Sequence, residues 1–144
     1  MLSDKDLLIR LLSAMLVGAI IGFERQIRNR HAGIRTFSIL CMASTLTAIL
    51  GLKAGEILDK TNIPQILFAI ILGMSFLGAG VIYKEMQKYV IIHGLTTSTT
   101  LMMTAVIGVG IGIGYLKASF LAAFLTIFTL IVFRFFEKLF GLKK

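Results

Sequence analysis

Residues 94–116 read GLTTSTTLMMTAVIGVGIGIGYL, with no charge anywhere in the run. About 20 apolar residues rising 1.5 Å each span roughly 30 Å, the thickness of the hydrocarbon core of a bilayer. The run opens on the hydroxyl cluster Thr96-Thr97-Ser98-Thr99-Thr100 and closes on glycine at every second position, Gly108, Gly110, Gly112 and Gly114. Hydroxyls and glycines suit a helix that packs closely against neighbours, or lines a polar site, better than one that only anchors. Read as a membrane helix, this stretch decides the fold class.

Composition agrees. Of 144 residues, 57 % are apolar and 15 % charged, and the mean hydropathy is +0.92; a soluble domain carries about a quarter charged residues. A net charge of +8 could suggest nucleic acid, but so apolar a chain has little solvated surface to offer it. Lys and Arg gathered on one side of a bilayer account for the excess better, so nucleic acid is not expected as a partner. The single cysteine, Cys41, excludes a disulfide within the chain and reads as a small buried hydrophobe.

Working outward, the apolar runs predict an all-α polytopic membrane protein, one domain over residues 1–144, with five transmembrane helices at about 7–23, 34–52, 64–82, 95–116 and 118–136. Pro64 suits the first turn of the third helix, where its missing N–H has no intrahelical partner to lose. A removable signal peptide is the competing reading of the first run. Its leading Ser3-Asp4-Lys5-Asp6 is acidic, and no small-residue cleavage site follows, so it is read as a helix. Arg25, Arg28, Arg30, Arg35, Lys84, Lys88, Arg134, Lys138, Lys143 and Lys144 fall on one side; Lys5, Arg10, Lys53, Lys60 and Lys117 fall on the other. The positive-inside rule puts the N-terminus outside and the C-terminus in the cytoplasm. No soluble domain is expected after the fifth helix.

Small residues mark packing faces. Ala14, Gly18 and Gly22 recur at four-residue spacing on the first helix, Gly78 and Gly80 lie on the third, and Thr104-Gly108-Gly112 and Gly110-Gly114 on the fourth. Thr97, Thr100, Thr104 and Gly108 share one face. Packing within the fold or in a homo-oligomer is one reading; the other has Thr96, Thr97 and Thr100 lining a ligand or ion site at the cytoplasmic shore. The glycines of the fourth helix would seat it against the Ala14-Gly18-Gly22 stripe or a partner.

Near that shore stand Glu24, Arg25 and Arg35. The short loop lets Glu24 pair with Arg25, Arg28 or Arg35, either as a shoreline salt bridge among anchors or as part of a site for phosphate or an anionic lipid head group. Arg10 reaches either the outer head groups or a partner inside the bundle. No Asp, Glu or His stands in mid-span, as proton-coupled or divalent-cation transport usually requires. His31 and His93 have no ligand neighbours at metal spacing, so neither metal nor cofactor is expected. The glycine ladder is not a nucleotide loop and no nucleophile motif is present; the chain is not expected to be an enzyme.

Three segments resemble a known family. Residues 18–25 followed by Arg28-Asn29-Arg30-His31-Ala32-Gly33-Ile34-Arg35-Thr36 resemble the first signature of the MgtC/SapB family. Ser75-Phe76-Leu77-Gly78-Ala79-Gly80-Val81-Ile82 is similar to the second, and Gly94-Leu95-Thr96-Thr97 to the third. Together they cover nearly the whole chain in the right order. The resemblance implies a bacterial inner-membrane protein, closer to the short SapB-like members than to those with a soluble C-terminal domain. It also implies a regulatory role in low-magnesium growth, virulence and survival inside macrophages, with the proton-translocating ATP synthase as a partner. Thr96 and Met103 stand where MgtC has Asn and Cys, and Gln65, Ser75 and Met102 where many members carry Arg, Gly and Trp. Three functions are thus weighed: a regulator acting by helix contact with a membrane partner or itself; a transport or small-ligand protein with its site at the cytoplasmic ends of helices one, two and four; and, behind these, lipid binding through the arginine loop.

Overall fold

A computed structural model describes residues 3–57, 63–86 and 90–141. Of the residues used above to orient the chain, Lys60, Lys88, Lys143 and Lys144 lie outside these. Five helices, each long and apolar enough to cross a membrane, follow one another: α1 (Asp4–Ile27), α2 (Ile34–Ile57), α3 (Ile63–Val81), α4 (Leu95–Ile113) and α5 (Leu116–Leu139). The protein is a multi-pass membrane protein. A short antiparallel hairpin, β1 (Tyr83–Met86) and β2 (Val90–His93), joins α3 to α4 where the sequence suggested only a loop; Tyr83 faces His93 across it.

Helix ends move where charges find partners. Both α1 and α2 extend past the expected limits, α1 through Glu24 and Arg25 and α2 past Lys53. The N-terminus of α1 is closed by the Asp6 carboxylate, which accepts the Ser3 backbone N–H at 3.3 Å. The break between α4 and α5 falls at Gly114-Tyr115 instead of Lys117. Gly114 adopts φ +96°, and its N–H and that of Tyr115 bond back to the carbonyls of Ile111 and Gly110 at 3.2 and 2.8 Å. Only glycine takes that left-handed cap without a Cβ penalty.

The most buried helix is α4, with 56 % of its span covered against 11 % for α3 and for α5. It touches all four other helices. Its glycines do not meet the α1 stripe. Both stripes pack instead on α2, at different heights along its buried face. A Cβ at Gly108 would lie 2.5 Å from the Cys41 carbonyl oxygen, and one at Gly112 would lie 2.6 Å from that of Thr45. Nearer the start of α2, a Cβ at Gly18 would strike the Phe37 carbonyl and one at Gly22 would lie 2.7 Å from Ile34 Cα. Ala14, also fully buried, continues that face. Across the α2–α4 seam the Thr45 hydroxyl donates to the Gly108 carbonyl at 2.7 Å. Lipid supplies no hydrophobic drive between helices, so close backbone contact and such bonds hold the bundle together.

Gly78 of α3 faces Ser98 of α4 closely enough to act as a packing position. Gly80 does not: nothing lies within 4 Å of where its Cβ would be, because it points away from α4. At the end of the bundle opposite the arginine loop, Arg10 Nη1 donates to the Gly112 carbonyl. It is half-buried against the C-terminal turn of α4, where a cation is favourable, so of the two reaches expected for it the bundle partner is the one adopted.

Two substitutions test the α2–α4 seam. Removing the bond with Thr45→Val lowers stability by roughly 0.5–1.5 kcal/mol, in line with interhelical hydrogen bonds. Gly108→Leu, which drives a side chain into backbone, costs about 3 kcal/mol or more. Thermal and denaturant unfolding of the purified protein in detergent would read both.

Candidate functional site at the arginine end

The α1–α2 loop, the hairpin, the start of α4 and the end of α5 all reach the same end of the bundle. There the end of α1 carries an ion triad, of which Glu24 and Arg25 are buried and Arg28 is half-buried. Glu24 Oε2 accepts the Arg25 Nε–H at 2.7 Å, and Glu24 Oε1 pairs with Arg28 one turn on. Glu24 and Arg25 are 8 % and 3 % exposed. The pairing explains why α1 stays helical here: the two guanidinium groups neutralise the carboxylate, and the i,i+4 spacing lets Arg28, the residue that caps α1, reach back to it. The carboxylate in turn lets Arg25 stay buried, which an unpaired charge could not do without a large desolvation penalty.

An opening of about 510 Å³ lies beside the triad, where Arg25 and Arg30 face Thr96 of α4 and Arg134 and Glu137 of α5. Glu24, Arg25 and Thr96 are therefore neighbours in one region. Thr97 is buried, and Thr100 is buried on α4 where it lines the α4–α5 groove. The Thr100 hydroxyl donates to the Thr96 carbonyl at 2.6 Å, and that of Thr104 to Thr100 at 2.8 Å. With their protons committed to their own helix, these hydroxyls have only acceptor capacity left.

Arg35 departs from the expected grouping. It is exposed in the first turn of α2, in a different groove, of about 840 Å³, that also touches His31, Leu77 and Leu101. Among the described residues the ion partners of Glu24 are Arg25 and Arg28, and Arg35 is not one. The loop at this groove is tied to the hairpin: the Tyr83 hydroxyl approaches His31 Nε2 at 3.4 Å, and the Tyr83 ring stacks on His93 at 5.1 Å. Arg28, named from sequence as one candidate partner of Glu24, does pair with it. Arg30, Arg134 and Glu137 were not singled out as site residues; Arg134 and Glu137, over a hundred positions away, had no signal.

Gly94 sets where α4 begins. Its φ is +90° and a Cβ here would strike the Val81 carbonyl, so any side chain would collide. The turn from β2 into α4 is thereby locked onto the end of α3, which fixes the height of Thr96 relative to Arg25.

Comparison with known proteins gives consistent results. The MgtC family model matches residues 11–139. The chain is 34 % identical to Protein SrpB of Synechococcus elongatus, over 94 % of this chain and 79 % of that protein. It is 32 % identical to Protein SapB of Bacillus subtilis, over 81 % of this chain and 52 % of SapB. Identity to Protein MgtC of Brucella abortus is 37 %, over 85 % of this chain and 48 % of that protein. The chain thus spans about half the length of these SapB and MgtC relatives. No solved structure matches. The chain belongs to the MgtC family.

The triad predicts unequal effects for charge removal. Glu24→Gln strands Arg25 in a buried position and should lower stability by about 3–5 kcal/mol, the usual cost of removing one member of a buried pair. Arg35→Gln, at an exposed position, should stay within about 0.5 kcal/mol of wild type. Unfolding in detergent separates the two; equal effects would show that Glu24 is not held as described.

Proposed function

We propose that this member of the MgtC family is a non-enzymatic, regulatory inner-membrane protein that acts by helix contact with another membrane protein or with a second copy of itself. The supporting observation is the outer face of α3. Gly73 and Gly80 stand two turns apart with nothing within 4 Å of either, and Phe76 between them is 81 % exposed. A glycine facing lipid gives up about 1 kcal/mol of helix propensity against alanine with no packing in return; small residues on a membrane helix earn their place by letting a second backbone approach. The stripes at Gly18 and Gly108, by contrast, are already filled by α2 within the chain, so a partner must use another face.

A transport role has less support. The α1–α2–α4 seam is closed by backbone contact at Gly18, Gly108 and Gly112, and the described charges stand at the two ends of the bundle. The charge asymmetry favours the arginine end in the cytoplasm. The family resemblance favours a part in adaptation to low magnesium or to life inside a host, and makes the ATP synthase the first partner to examine.

A photo-crosslinking residue at Phe76 in cells should capture a defined partner or a second copy, and Gly73→Leu with Gly80→Leu should abolish capture without changing thermal unfolding. Reconstituted vesicles should remain impermeable to Mg²⁺ and other ions. Saturable ion uptake that is lost on Thr97→Val would overturn the proposal, as would capture that ignores the α3 substitutions.

A further inference from the structure

Beside the opening at the arginine end is a buried donor with nothing to bond. Arg25 is 3 % exposed and lines the cavity, and its Nη1 has no hydrogen-bond partner, although Nε is satisfied by Glu24. A buried guanidinium N–H left unpaired costs more than an ordinary unmade bond, and an anionic oxygen is the acceptor that best matches it. Two further cations, Arg30 and Arg134, reach the same space from the loop and from α5, and Thr96 brings to it the first turn of α4, whose positive dipole end also favours an anion. Arg25, Arg28, Arg30 and Arg134 outnumber Glu24 and Glu137, the carboxylates at this site, by two charges.

The cavity does not end at the arginines. At Thr96, Thr129 and Leu130 it adjoins a groove of about 430 Å³ that runs between α4 and α5 past Met103, Ala122 and Leu125. Three of the hydroxyls along this groove are turned inward to their own backbones: Thr99 and Thr100 donate to Thr96, and Thr126 to Ala122. A polar cationic chamber thus opens into a channel of largely apolar surface, pointing from the helix ends toward the middle of the bundle. That is the shape of one anionic phospholipid, not of a free ion.

We propose that this wedge binds an anionic phospholipid, with its phosphodiester against Arg25, Arg30 and Arg134 and an acyl chain between α4 and α5. The site is independent of the α3 contact face. Phosphate chemistry alone would also fit the arginines, and the groove is what distinguishes the lipid.

Native mass spectrometry of the full-length protein with phosphatidylglycerol or phosphatidylcholine added tests it. Phosphatidylglycerol should bind about tenfold more tightly, and Arg30→Gln and Arg134→Gln should each remove most of that preference, as the loss of a charge-assisted bond predicts. Arg35→Gln, the same charge loss in another groove, should leave it intact. Leu125→Trp, which fills the groove, should weaken lipid binding without altering any stabilisation by inorganic phosphate. Equal binding of the two lipids, or equal effects of Arg35→Gln and Arg134→Gln, would overturn the proposal. Stabilisation by inorganic phosphate matching that by lipid, with Leu125→Trp silent, would overturn the lipid assignment in favour of a soluble anion. Because Arg30 and Arg134 lie outside the buried ion pair, their variants remain informative even where Arg25 variants fail to fold.

Discussion

The contact of α2 with α4 is the constraint on which the remainder depends. Two backbones approach so closely at Gly108 and Gly112 that α2 carbonyls occupy the space a side chain would need. In a bilayer, where lipid competes equally for apolar surface, that proximity is what makes the helix pair better off together than apart. The Thr45 hydroxyl then fixes how far one helix can slide along the other, because it has a single carbonyl to reach. Since α4 touches every other helix, fixing it against α2 also sets the height of Thr96 at one end and of the Gly112 carbonyl at the other.

Around this rigid centre the protein divides into a tight part and a loose part. Helices α1, α2 and α4 share backbone contacts and most of the buried residues. Helices α3 and α5 lean on α4 and leave most of their surface to the surroundings. The division matters for chemistry: the ion triad belongs to the tight part, whereas Arg134 and Glu137 ride on α5. A site shared between a fixed wall and a loosely held one can change width without disturbing the core.

Much of this was legible in the sequence, and the limits have physical causes. Apolar runs of bilayer length are unambiguous, so the five spans could be read directly, and the glycine stripes announced close packing. Their partner could not be read, because a small-residue stripe says that a backbone comes near but not which one. A signal for α2 did exist: Cys41, Ser44, Thr45 and Ala48 are all small and recur at helical spacing. They were easy to miss because none is glycine. The grouping of Arg35 with Glu24 failed for a reason of direction. Nearness along the chain places Arg35 at the right end of the bundle, but the rotation of α2 about its axis, which buries Phe37, Cys41 and Thr45 against Gly18, Gly108 and Gly112, leaves it in another groove. The hairpin was hidden by Lys84-Glu85, which reads as solvated loop, although the β-branched run Val90-Ile91-Ile92 favours a strand.

The bond from Arg10 to Gly112 spans 102 positions of the chain. Its consequence belongs to biogenesis. When α1 emerges from the ribosome and enters the membrane, the acceptor for its guanidinium has not yet been synthesised. Arg10 must wait near the interface, hydrated or held by head groups, while α2 and α3 are made. Only the arrival of α4 lets it settle against the helix end. The last turn of the most buried helix thus completes the anchoring of α1, and these two helices are joined only once α4 is in place.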